Sequence, residues 1–141
     1  MNIFGSIIAG LLGTLVMTVL MVMAPRMGMP KMDIIGMLGT MFTASEGTAR
    51  LIGTPAHFMM GVIFAIIYSL IWSFGIGSPT WLWGLIFGAV HAVVVMVILP
   101  AVTKMHPRPP QMESGPLMMV GLLMAHLAFG LVVALTYAAF V

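Results

Sequence analysis

The sequence predicts an all-α integral membrane protein, a four-transmembrane-helix bundle built as a tandem duplication of a helical hairpin, with a short interfacial helix in the first inner loop. Three observations lead there. Hydrophobic residues make up 62% of the 141, charged residues only 6%, and mean hydropathy is +1.20. A soluble domain of this size has no way to hide that much apolar surface. Four stretches without Asp, Glu, Lys or Arg are each long enough to cross a hydrocarbon core of roughly 30 Å. Finally, a frame reading A-H-x-x-x-G-x-x-x-A-x-x-Y occurs twice, once from Ala56 to Tyr68 and again from Ala125 to Tyr137, at an offset of 69 residues.

The first span covers Ile3 to Ala24 and ends where Pro25 disfavours further helix. It has no basic n-region, so it reads as a span rather than a signal peptide. Its small residues form two ladders, Gly5-Ala9-Gly13 and Ser6-Gly10, which allow helix backbones to approach closely in lipid. Within residues 25–54, Asp33 is an N-cap candidate, and Ile34, Met37, Leu38 and Met41 follow at helical spacing. Gly36 and Gly39 weaken that segment as an isolated helix, so an amphipathic helix lying in the membrane interface is expected.

Thr54 and Pro55 read as a cap and first turn of the second span, which runs to about Phe74. An uncharged turn, Gly75 to Ser78, leads through Pro79 into the third span, about Thr80 to Val102, with Pro100 near its far end. The loop at 103–115 holds Pro107, Pro109 and Pro110, and the fourth span begins near Pro116. The chain is one membrane domain, 1–141, with repeat units of about 1–76 and 77–141. Gly10 and Gly13 align with Gly88 and His91 at an offset of 78, as do Arg26-Met27 with Lys104-Met105. Lys31-Met32-Asp33 resembles Gln111-Met112-Glu113 two residues later. Two hairpins of equal orientation imply a pseudo-two-fold axis along the membrane normal.

All five basic residues, Arg26, Lys31, Arg50, Lys104 and Arg108, lie in the first and third connections. The positive-inside rule therefore places loops 25–54 and 103–115 in the cytoplasm and both termini outside, in a cytoplasmic membrane of the bacterial or archaeal kind. Trp72, Trp81 and Trp83 around the short turn read as an outer aromatic belt. The pI near 9.5 is orientation information and not a nucleic-acid footprint. The expected partners are the lipid bilayer and other membrane subunits or a second copy.

In each repeated frame the histidine, glycine, alanine and tyrosine share one helix face. Tyr68 and Tyr137 stand eleven residues beyond their histidines, about 16 Å of helix, and Trp81 stands a similar distance from His91. If these aromatics mark the outer interface, His57, His91 and His126 share one level near the midplane. Ionisable residues at that depth are site candidates. The plain alternative is that each imidazole hydrogen-bonds a neighbouring helix.

Two ligand readings stay open. In one, His57 and His126 ligate haem b iron or a (bacterio)chlorophyll magnesium, with Gly61 and Gly130 opening a flat slot for the macrocycle. In the other, His57, His91 and His126 hold a single transition-metal ion, with Gly13 leaving the fourth side open. Seventeen methionines, six of them between Met23 and Met41, offer soft thioethers for Cu(I), although adaptable apolar filling explains them more simply. His106 reads as a solvated or headgroup contact.

There is no cysteine, which excludes disulfides, thiolate metal sites and thiol nucleophiles. No catalytic motif is present, and no span carries a carboxylate, so an enzyme or a proton-coupled transporter is poorly supported. The expected function is an accessory subunit of a larger membrane complex whose histidines bind haem, pigment or metal. The alternatives are a transporter or channel for a metal ion or small neutral solute, and a cofactor-free assembly factor.

Overall fold

The structure, a computed structural model, describes residues 1–109 and 115–141. The part of the repeat that rests on Gln111, Met112 and Glu113 lies outside these residues. The described chain is helical: α1 Ile3–Met23, a 3-10 turn Ala24–Met27, α2 Ile34–Thr40, α3 Glu46–Ser73, α4 Trp81–Met105 and α5 Pro116–Ala138. The four long helices have mean hydropathies of 1.8 to 2.6 and the length to cross a membrane. Their outward faces carry exposed Leu11, Leu15, Val19, Ile63, Val93 and Val97. Such surfaces suit hydrocarbon, and the protein is an integral membrane protein.

Around the bundle, α1 packs between α3 and α5, and α4 packs on α5. The two ladders on α1 serve different neighbours. Toward α3, the Ser6 and Ser69 hydroxyls hydrogen-bond at 2.7 Å, and a Cβ on Gly10 would stand 2.6 Å from Val62 Cα. Toward α5, a Cβ on Gly13 would stand 2.9 to 3.1 Å from Val133 and Phe129. The side of Gly13 expected to be open is therefore closed by α5. The fourth seam, between α3 and α4, is filled by aromatics: Trp72 stacks on Phe87 at 5.5 Å, and the Tyr68 hydroxyl donates to the Phe87 carbonyl at 3.0 Å. Trp72 is buried in that seam and takes no part in an outer belt, whereas Trp81 is 59% exposed.

The start of α3 corrects the sequence reading. Thr54 and Pro55 do not begin the helix; it begins at Glu46, where Ser45 Oγ accepts from Thr48 N at 3.5 Å. Pro55 sits inside the helix with its ring on the exposed side. Its missing N–H leaves the Leu51 carbonyl without its helix donor, on an exposed face of α3, and the Thr54 hydroxyl back-bonds the neighbouring Arg50 O at 2.8 Å. The extra length is also braced. Helix α2, capped by Asp33 accepting from Gly36 N at 2.8 Å, lies along it with Gly39 against Ala49 and Gly53 against Ile35. Any side chain at Gly39 or Gly53 would push the two helices apart.

Loop 103–109 returns to α2. His106 is buried, not solvated: its Nε2–H donates to Met37 O at 2.8 Å, and its Nδ1 accepts from Arg108 N at 3.0 Å. Arg108 donates to Thr40 O at 2.9 Å and Met41 O at 3.2 Å, satisfying carbonyls that the end of α2 leaves unpaired. At the other end of the bundle, Asn2 Nδ2 donates to Phe140 O at 3.1 Å, and Asn2 N donates to the Tyr137 hydroxyl at 2.9 Å.

Candidate functional site

The shared face of each repeated frame turns inward as its spacing requires. His57, Gly61, Ala65 and Tyr68 are buried on α3, as are His126, Gly130, Ala134 and Tyr137 on α5. Gly84, Gly88 and His91 are buried on α4. Between these faces lies a partly open cavity of about 100 Å³, lined by His57, His91 and His126 together with Met37 and Leu38 of α2.

Two of the histidines meet. The rings of His91 and His126 lie 4.6 Å apart, centroid to centroid, at 74°. Each is anchored through Nδ1. His126 Nδ1–H donates to Leu122 O, one turn back on its own helix, at 2.8 Å. The Tyr68 hydroxyl has one proton and gives it to Phe87 O, so at 3.2 Å it accepts from His91 Nδ1–H. Both neutral rings then carry their lone pair on Nε2, which no hydrogen bond among the described residues uses. His57 is in a different state. It is 4% exposed, and neither ring nitrogen has a hydrogen-bond partner among the described residues. An unpaired polar group in an apolar interior is costly and calls for a partner.

Among the described residues, no three His, Asp or Glu side chains stand close enough to hold a metal ion by themselves. The three histidines share a cavity as a close pair and a separate third. Gly61 lines the cavity, while the side a Cβ would occupy faces Thr14 Oγ1 and Gly10 O of α1; Gly130 faces Gly84 and Gly88 of α4.

The profile of DUF6789, a family of unknown function, matches residues 1–141. The chain belongs to this family. No curated protein and no solved structure matches it.

In this DUF6789 chain the sulfur around the cavity is the part that sequence reasoning missed. Met17, Met21, Met32, Met37 and Met60 line it, with Phe64 and Phe129. The crowding of methionine between Met23 and Met41 pointed to the first loop, yet only Met32 and Met37 of that group reach the cavity. Met17 and Met21 continue the helical ladder of Ala9 and Gly13 at spacings of four, a signal that was present in α1. The Tyr68 anchor for His91 had no sequence signal, because it joins two helices whose relative rotation is set by packing.

Proposed function

We propose that the protein binds a single transition-metal ion at the centre of its bundle and carries it within a membrane assembly. The observation that carries this reading is the His91–His126 pair, with Nδ1 of each ring tied to an oxygen and Nε2 of each left for the cavity. Metal-ligating imidazoles are fixed in this way, the second nitrogen donating to an oxygen that sets tautomer and ring orientation. A cavity near 100 Å³ has room for an ion and its ligands. Sites for organic ligands occupy about 300–1,000 Å³, so size favours an ion over haem or chlorophyll.

Carriage is favoured over conduction. On the side of the cavity away from the loops, Tyr68, Trp72, Phe87, Phe129 and Tyr137 pack against one another and fill the bundle. The glycine contacts of α1 with α3 and of α4 with α5 draw the backbones together.

The same reading includes duplication. Gly10 and Gly88 are equivalent at the 78-residue offset, Gly61 and Gly130 at the 69-residue offset, and both equivalent pairs stand at helix contacts. His126 has His91 beside it. The position equivalent to His91 in the first unit is Gly13, which has no side chain and faces α5, so the first unit has no counterpart of the His91 imidazole. The charge pattern orients the bundle with α2 and loop 103–109 at the cytoplasmic interface and the turn at Gly75 outside.

Elemental analysis and an absorption spectrum of protein purified gently from its native membrane test the proposal. The expected result is one metal ion per chain, no Soret or chlorophyll band, and loss of the metal in His91→Ala and His126→Ala. A preparation free of metal, or one carrying a porphyrin band, would overturn it.

A further inference from the structure

The cavity does not treat all metal ions alike. We propose that its ion is Cu(I), held by Nε2 of His91 and His126 together with methionine thioethers of the cavity wall. This rests on the metal-binding reading above and names the ion.

Charge and softness both point to Cu(I). Among the described residues, five thioethers and three imidazoles line the cavity, and no carboxylate does. Every available donor is neutral, so the full charge of the ion is buried. Born energy rises as the square of the charge, and even one buried unit charge costs several kcal/mol in a real protein. A divalent ion would cost about four times as much as a monovalent one of similar size, with no anionic ligand to offset it. Hard divalent ions also prefer oxygen ligands, whereas thioether and thiolate sulfur select Cu(I). Met17, Met32 and Met37 are each 7% exposed, so their sulfurs are enclosed with the histidines and not spread over the lipid face.

A second cavity of about 290 Å³ lies alongside and is lined by Lys31, Asp33 and Arg50 toward the loops. Met21, Met32 and His57 line both cavities. They form the wall between the charged rim, where Arg50 Nη2 stands 3.5 Å from Asp33 Oδ2, and the His91–His126 pair. Neither nitrogen of His57 has a hydrogen-bond partner among the described residues, so the one lone pair of its neutral ring is available at that wall. The way in from the loop face therefore passes the charged rim of Lys31, Asp33 and Arg50 and then, at the shared wall, the neutral donors Met21, Met32 and His57 beside Ile34.

The test is anaerobic titration of the purified protein in nanodiscs with Cu(I) against a chromophoric chelator, in parallel with Zn(II), followed by X-ray absorption at the metal edge. The expected result is one Cu(I) bound more tightly than Zn(II), with both nitrogen and sulfur scatterers. Met21→Leu and Met37→Leu conserve volume and are tolerated by packed cores. They should weaken Cu(I) binding about tenfold each, the scale on which individual shell residues of metal sites act, and leave Zn(II) binding unchanged. Zn(II) binding tighter than Cu(I), an all-nitrogen shell, or unchanged Cu(I) affinity in both leucine variants would overturn Cu(I) while leaving the metal-binding reading intact. Failure to bind either ion in folded, monodisperse protein would overturn both.

Discussion

Gly130→Ala adds one methyl group where α5 meets α4. Its Cβ would stand 2.9 Å from both Cα and N of Gly88 and closer still to the Gly84 carbonyl oxygen. Non-bonded heavy atoms rest at about 3.5–4.0 Å, and the Gly84 oxygen is the limiting contact, so α4 must retreat by more than about 1 Å. The neighbours are backbone atoms and cannot rotate away. Overpacking of this kind costs about 1–3 kcal/mol, and rigid neighbours place this site at the upper end, about 2–3 kcal/mol. The usual gain of alanine over glycine in helix propensity does not offset it. In the two-stage picture α5 is already helical in the bilayer before it packs.

The control is Gly47→Ala in the first turn of α3, where an added Cβ meets nothing within 4 Å. That change should be neutral within about 0.5 kcal/mol. Equilibrium unfolding in mixed detergent micelles, followed by tryptophan fluorescence, measures both. The unfolding constant of Gly130→Ala should rise about 30- to 150-fold, since each 1.4 kcal/mol is a factor of ten. Equal midpoints for the two variants would refute the claim that glycine at 130 is required by helix contact.

Three further outcomes follow from the same geometry. Tyr68→Phe removes the hydroxyl that fixes His91 and bonds Phe87 O; stability should fall by about 0.6–1.7 kcal/mol in the unfolding assay and metal affinity about tenfold in the chelator titration. His106→Ala leaves Met37 O and Arg108 N without their buried partner, so stability should fall by about 1–3 kcal/mol and amide exchange should accelerate across α2, while the exchange of α5 is unchanged. Because the chain has no cysteine, single cysteines report orientation directly. Ser78→Cys should react with an impermeant thiol reagent added to intact cells and Lys31→Cys only after lysis; the reverse pattern would invert the proposed topology.

The spans were legible because lipid imposes a simple requirement, a long run of apolar residues with its backbone bonds made internally. The repeated frame identified the buried faces of α3 and α5, and the ladders of α1 identified its contacts. The start of α3 was misread at Thr54 and Pro55 because that pair reads as a cap and first turn. Here the proline ring lies on the exposed side and α2 braces the segment, so the helix continues through it. Trp72 was assigned to the surface by residue type, although it lies four residues beyond Tyr68 on the buried stripe of α3. The burial of His106 and the placement of α2 over the cavity depend on contacts between distant loops, such as His106 with Met37, and no local pattern encodes them. For the site, the sequence singled out three histidines, and they line one cavity. Helix rotation then joined His91 to His126 and left His57 apart.

The order of packing around the bundle has a consequence for synthesis. Helix α1 can pair with α3 as soon as α3 has left the ribosome, through Ser6, Gly10 and their partners. Helix α4 has no such earlier partner for its small-residue face, since Gly84 and Gly88 fit against α5 alone. During the interval in which α5 is still being made, α4 stands in the bilayer with that glycine face unpartnered, while His91 can already meet Tyr68 and Phe64 of α3. The last helix to arrive completes the α1 and α4 contacts together and adds His126 to the cavity. A chain stalled before α5 is thus a three-span intermediate with small-residue faces of α1 and α4 left open, the form that membrane quality control is equipped to hold or remove.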